Sequence, residues 1–133
     1  MLGVRNYPKE YIDACRKKIA SDLSAYKKLV SNLKGVDGFE ASYFNNLVLV
    51  LDHLFVHRLR TVEGKDGNPL NEVRLLGDSL MLNNGVMGSD TTIKYASAKS
   101  VLKYNVGDEI KLTEADFTRL YKAFFTEIEA RFL

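Results

Sequence analysis

Residues 40–59, EASYFNNLVLVLDHLFVHRL, decide the architecture. Tyr43, Phe44, Leu47, Val48, Val50, Leu51, Leu54 and Phe55 fill about half of a helical wheel. A face that broad needs cover from several neighbours, so this stretch is expected to be the central helix of a bundle. Its other arc carries Asn45, Asn46, Asp52, His53 and His57 and leads to Arg60.

The chain on either side is patterned to supply that cover. Upstream, a helix is expected to start near Pro8, well tolerated in a first turn, and to end before Gly35. Ile12, Cys15, Ile19, Leu23, Tyr26, Val30 and Leu33 recur along it at steps of three and four. Downstream, Asn68 is suited to cap a helix with Pro69 in its first turn, and Val73, Leu76 and Leu80 share one face. Gly77 on the next ridge marks a close helix crossing, and Asn83-Asn84-Gly85 allows a left-handed stop. The last helix opens on Thr113 and Asp116, the spacing of a capping box. Phe117, Leu120, Tyr121, Phe124, Phe125, Ile128 and Phe132 then form an aromatic stripe that reads as core.

Between these helices, residues 86–112 change character. The runs 91–95, 101–104 and 109–112 are rich in β-branched and aromatic residues, and Asn105-Val106-Gly107-Asp108 has the composition of a hairpin turn. The expectation is therefore a mainly α, four-helix bundle-like domain, with a small β-hairpin or three-stranded flap before the last helix. No internal repeat or linker divides residues 1–133, which read as one domain.

Composition narrows the function classes. The 46% hydrophobic and 27% charged residues are those of an ordinary globular protein. No apolar run approaches the roughly 18 residues of a membrane span, and the first ten residues lack a signal-peptide core, so a cytoplasmic location is expected. Lone Cys15, on an apolar face, reads as core. Residues 1–34 carry eight Lys/Arg against three Asp/Glu, a net of +5, which leaves −3 for the rest of a chain whose sum is +2. The lysines alternate with Glu10, Asp13 and Asp22 and accompany no recognised motif, so nucleic acid is not an expected partner. There is no G-x-S-x-G elbow.

Two constellations carry chemistry. His53 and His57 are four residues apart, a spacing that places two imidazoles one helical turn apart and able to share a divalent transition metal. Asp52 and Glu63 are candidate oxygen ligands. Leu54 follows the first histidine where zinc proteases have glutamate, which excludes that class. The second constellation is an anion-binding set: Arg58, Arg60, Lys65 and Arg74, with Asn46, around a glycine-containing loop leading into a helix N-terminus, where unpaired amides favour a phosphate or carboxylate. Gly64-Lys65 is followed by Asp66, so the loop is not a P-loop.

The segments Phe44-Asn45-Asn46, Asp52-His53-Leu54-Phe55-Val56-His57-Arg58-Leu59-Arg60 and Glu63-Gly64-Lys65-Asp66-Gly67-Asn68-Pro69-Leu70-Asn71-Glu72-Val73-Arg74 together resemble a group of small uncharacterised bacterial proteins. The similarity continues into Val106-Gly107-Asp108 and Leu112-Thr113-Glu114-Ala115-Asp116-Phe117. It implies a helical fold and a cytoplasmic home, and carries no activity with it. His53-x-x-x-His57 is also loosely similar to the metal-binding helical bundles of the DinB-like kind, which use a third histidine that this sequence lacks.

The residues favour a non-enzymatic helical module that self-associates, as a dimer, or binds a partner. A binding protein for a small anion at residues 58–74 and a metal-dependent enzyme at His53 and His57 are the alternatives.

Overall fold

The computed structural model describes residues 3–31 and 37–133, which hold five α-helices and no β-strand. The helices are α1 (Lys9–Val30), α2 (Asp37–Leu54), α3 (Arg60–Glu63), α4 (Pro69–Leu82) and α5 (Glu114–Phe132). Leu33 and Gly35, assigned above to the end of the first helix and the turn after it, lie outside the described residues.

Local signals place the helix ends. Asn68 Oδ1 accepts from the amides of Leu70 and Asn71, and Pro69 follows as the first residue of α4. Asn84 and Gly85 at the other end take left-handed backbone angles, with φ of 56° and 74°. In α5 the Thr113 hydroxyl accepts from the Asp116 amide while the Asp116 carboxylate accepts from the Thr113 amide, a complete capping box.

The core is assembled around α5, which packs against each of the other four α-helices. Phe117, Leu120, Phe124, Phe125, Ile128 and Phe132 are buried along it. Each such side chain contributes about 1.5–3 kcal/mol by leaving water. From α1 it receives Ile12, Cys15, Ile19, Leu23 and Tyr26. Burial pushes the Cys15 thiol pKa up, as befits a packed rather than a reactive side chain. The position expected for α2 thus belongs to α5. Helix α2 buries Phe44, Leu47, Val48 and Leu51 against α4 and α5, but Leu49, Val50 and Leu54 stay partly open, so its wide apolar face is not fully covered.

The β-hairpin or three-stranded flap expected before the last helix is not formed; residues 86–112 are an irregular segment with one 3₁₀ turn, Ser97–Lys99. Backbone donors that would have formed a ladder find side chains instead. The amides of Val101 and Leu102 donate to the Glu72 carboxylate at 2.8 and 2.9 Å. The Leu112 amide donates to Asn45 Oδ1, and Asn45 Nδ2 donates to the Ile110 carbonyl. Lys103 adopts φ +60°, which ends the extended run before the turn. The turn at residues 105–108 does form, closed by the Asp108 amide on the Asn105 carbonyl, yet it joins no strands. Among the described residues the segment's ladder-like pairing stops at one antiparallel bridge, Val86 to Glu109, with the Met87 amide on the Asp108 carbonyl and the Ile110 amide on the Gly85 carbonyl.

Candidate functional site

Helix α2 stops at Leu54, five residues earlier than the sequence periodicity suggests. From there the backbone tightens. The amides of Phe55, Val56 and Arg58 bond to the carbonyls of Asp52, His53 and Phe55, each three residues back. The extended residues at the N-terminal end dock onto this turn: the Val4 amide donates to the His57 carbonyl at 2.7 Å and the Leu59 amide to the Val4 carbonyl at 2.9 Å. Gly3 is held so closely that a Cβ there would sit 2.7 Å from the Leu59 Cα.

The turn aims Arg58 into the protein. Its guanidinium bonds to Asp52 Oδ1 at 2.8 Å and to the carbonyls of Phe55 and Leu70, and lies 5.6 Å from the centroid of the Phe124 ring. Its Nε donates to Glu63 Oε1 at 2.8 Å. Glu63, at the end of α3, is fully buried. Two bonds from Arg74, at 2.6 and 3.1 Å, and one from Asn71 Nδ2 at 2.7 Å complete its partners. Burial alone would raise the Glu63 pKa, but the Arg74 hydrogen bonds and the two guanidinium charges outweigh it and hold the carboxyl below its ordinary range. For Arg74, burial disfavours the charge, and the bonds it donates to Glu63 together with that carboxylate's charge more than restore it, so its pKa is raised.

The loop into α4 is stitched to itself. Asn68 Nδ2 donates to the Glu63 carbonyl and to Asp66, Asn71 Nδ2 to the Gly64 carbonyl, and the Gly67 amide to Asn71 Oδ1. Arg131 of α5 reaches the Glu63 carbonyl at 3.0 Å. Because Asn68 already occupies the first amides of α4, that helix end offers an anion little.

Of the candidate anion-binding residues, Arg58, Arg60 and Arg74 line one surface cleft of about 400 Å³ together with His57. Val56, Leu59 and Gly3 supply its apolar wall, and Thr61 stands at its edge. Asn46 and Lys65 are exposed and do not line it.

The candidate metal ligands are dispersed. His57 lines this cleft, whereas His53 lines a separate groove with Asp52, Leu49, Val50, Leu54 and Met81. The three-residue bonds after Leu54 break the helical register that would have aligned the two imidazoles. Asp52 is engaged by Arg58, and Glu63 is enclosed by Arg58, Arg74 and Asn71. Among the described residues no group of three or more His, Cys, Asp or Glu is placed to hold a metal ion.

Two features escaped sequence reasoning. One is Glu72, buried and bonded to the amides of residues 101 and 102; nothing in its sequence neighbourhood marks it. The other is the groove beside His53, about 600 Å³ in volume, which Met81, 68% exposed, helps to line. A signal existed here: Met81 falls off the Val73–Leu76–Leu80 face, so the helix could not bury it with them. Among the described residues, no helix is long and apolar enough to cross a membrane. No family model, curated protein or solved structure matches the chain.

Proposed function

We propose that this protein is a helical interaction module that pairs with a second copy of itself through the groove beside His53. The observation that supports it is the uncovered part of α2. Leu49, Val50 and Leu54 form an apolar floor, and Met81, 68% exposed, projects at its side. Tyr11, whose hydroxyl donates to the Leu54 carbonyl, extends the apolar surface onto α1. Exposed apolar surface of this kind gains by association.

A second copy suits the groove because a twofold contact must be self-complementary. This face carries a depression and a projection side by side, and its rim holds one cation, Lys18, and one anion, Asp52. Across a twofold axis each projection fills the partner's depression.

Sedimentation velocity on the whole chain from low to high micromolar concentration tests this. The expected result is a monomer–dimer equilibrium that Met81→Asp shifts to monomer without lowering the melting temperature, since Met81 is 68% exposed. A wild-type protein that stays monomeric throughout, or a Met81→Asp dimer of unchanged strength, overturns it.

A further inference from the structure

We infer that the cleft lined by His57, Arg60 and Arg74 is a binding site for a small carboxylate monoanion. The inference is independent of self-association, which uses the other face of the 52–58 turn.

The cleft's charged groups differ in what they can still bind. Arg58 has its Nε and both terminal nitrogens bonded to Glu63, Asp52 and backbone carbonyls, so it contributes charge but no donor. Arg74 donates to Glu63 through Nε and Nη2 only, and its side chain is 18% exposed. The buried carboxylate therefore holds that guanidinium in one orientation with Nη1 left over. The Arg60 side chain is exposed and has no hydrogen bond or ion pair among those of the described residues. One fixed and one adaptable guanidinium beside each other suit an anion with two oxygens, because guanidinium donors match a carboxylate in pairs. Fixing Arg74 in advance removes part of the ordering cost of binding.

The surroundings select the ligand's charge and size. Asp78 and Asp90 line the adjoining depression, and both feel the charge of Arg60. Asp78 also feels Arg74 and Asp52. Together with Asp52 and Glu63 these carboxylates offset the charge of the three arginines and repel a second or third charge on the ligand, which disfavours polyphosphates and nucleic acid. A volume of about 400 Å³ with Val56 and Leu59 in its wall accommodates a short apolar tail behind the carboxylate.

Titration of the whole protein with butyrate, inorganic phosphate and adenosine triphosphate, followed by amide and His57 side-chain NMR shifts, tests the assignment. Saturable millimolar binding of butyrate is expected, weaker for phosphate and weakest for the triphosphate. Arg60→Gln is expected to weaken butyrate about tenfold, the loss of one charge-assisted bond, while Lys65→Gln, outside the cleft, leaves it unchanged. Three outcomes overturn the inference: no saturable butyrate binding, equal weakening by the two variants, or tighter binding of phosphate or triphosphate than of butyrate. Because the Arg60 side chain is exposed and its hydrogen bond is through the backbone carbonyl, a folded variant is expected, and its unchanged spectrum away from the cleft verifies this.

Discussion

The Nε of Arg58 lies 2.8 Å from Oε1 of Glu63, and neither side chain is exposed to solvent. Taking two ions out of water costs several kcal/mol each, and their attraction offsets this only where the remaining donors and acceptors are also satisfied. Here they are: Asp52 and two carbonyls take the rest of Arg58, while Asn71 and Arg74 take the rest of Glu63. The network ties the 55–58 turn, α3 and α4 together and sets the geometry of the cleft.

Glu63→Ala leaves Arg58 charged and buried, with backbone carbonyls and the half-buried Asp52 but without its buried counter-ion. A loss of about 3–5 kcal/mol is expected in urea unfolding. A loss below about 1 kcal/mol means that the network behaves like a surface pair.

Two buried carboxylates tilt the pH dependence in opposite directions. Glu63 has its pKa held below the ordinary glutamate value, so the stability it contributes is present above that value and disappears as pH falls through its folded pKa. Glu72 has its pKa raised, chiefly by burial, against the amide bonds from Leu102 and Val101. The folded protein then binds the Glu72 proton more tightly than the unfolded chain does, and stability falls as pH rises from the ordinary value through the raised one. Urea midpoints across the acid-to-neutral range are expected to lose their acid decline in Glu63→Gln. In Glu72→Gln the decline on the alkaline side of the ordinary glutamate value is expected to flatten. Parallel profiles for wild type and both variants contradict these assignments.

The irregular segment before α5 hangs on Glu72 and Asn45. Removing the carboxylate in Glu72→Ala strands the amides of Val101 and Leu102, at about 1–3 kcal/mol for each that stays buried. Hydrogen exchange at those two amides is expected to accelerate strongly while that of α5 core amides such as Phe124 changes little. Uniform acceleration throughout the chain points to global destabilisation instead.

Glycines 77 and 67 are expected to respond oppositely to alanine. A Cβ on Gly77 meets only Leu49 Cδ2 at 3.8 Å, an ordinary contact. Better helix propensity then raises stability by about 0.5–1 kcal/mol. The crossing read from this glycine is therefore not a tight one. Gly67 has φ +84°, and a Cβ there would lie 2.4 Å from the Lys94 carbonyl oxygen. Gly67→Ala is expected to lower the thermal midpoint while Gly77→Ala raises it.

Helices were legible wherever short-range chemistry settles the backbone. The Asn68–Pro69 start, the Asn84–Gly85 stop and the Thr113–Asp116 box involve groups within a few residues of one another, so their composition suffices. The β-flap failed for the converse reason. Residues 101–104 have strand-like side chains, but strand formation depends on a partner, and Glu72, some thirty positions away, captured the donors first.

The candidate site divides in the same way. Sequence alone determined that charge gathers at residues 52–74 and that Arg58, Arg60 and Arg74 belong to one region. Tertiary structure decided what those charges do. Phe124 and the Leu70 carbonyl close over Arg58, so Glu63 became a buried counter-ion rather than a surface or metal-binding group. The end of α2 at Leu54 sent His53 and His57 to different surfaces. The physical reason is that a residue's intrinsic charge is local, whereas its desolvation depends on which distant side chains pack over it, and that is known only once the helices have docked.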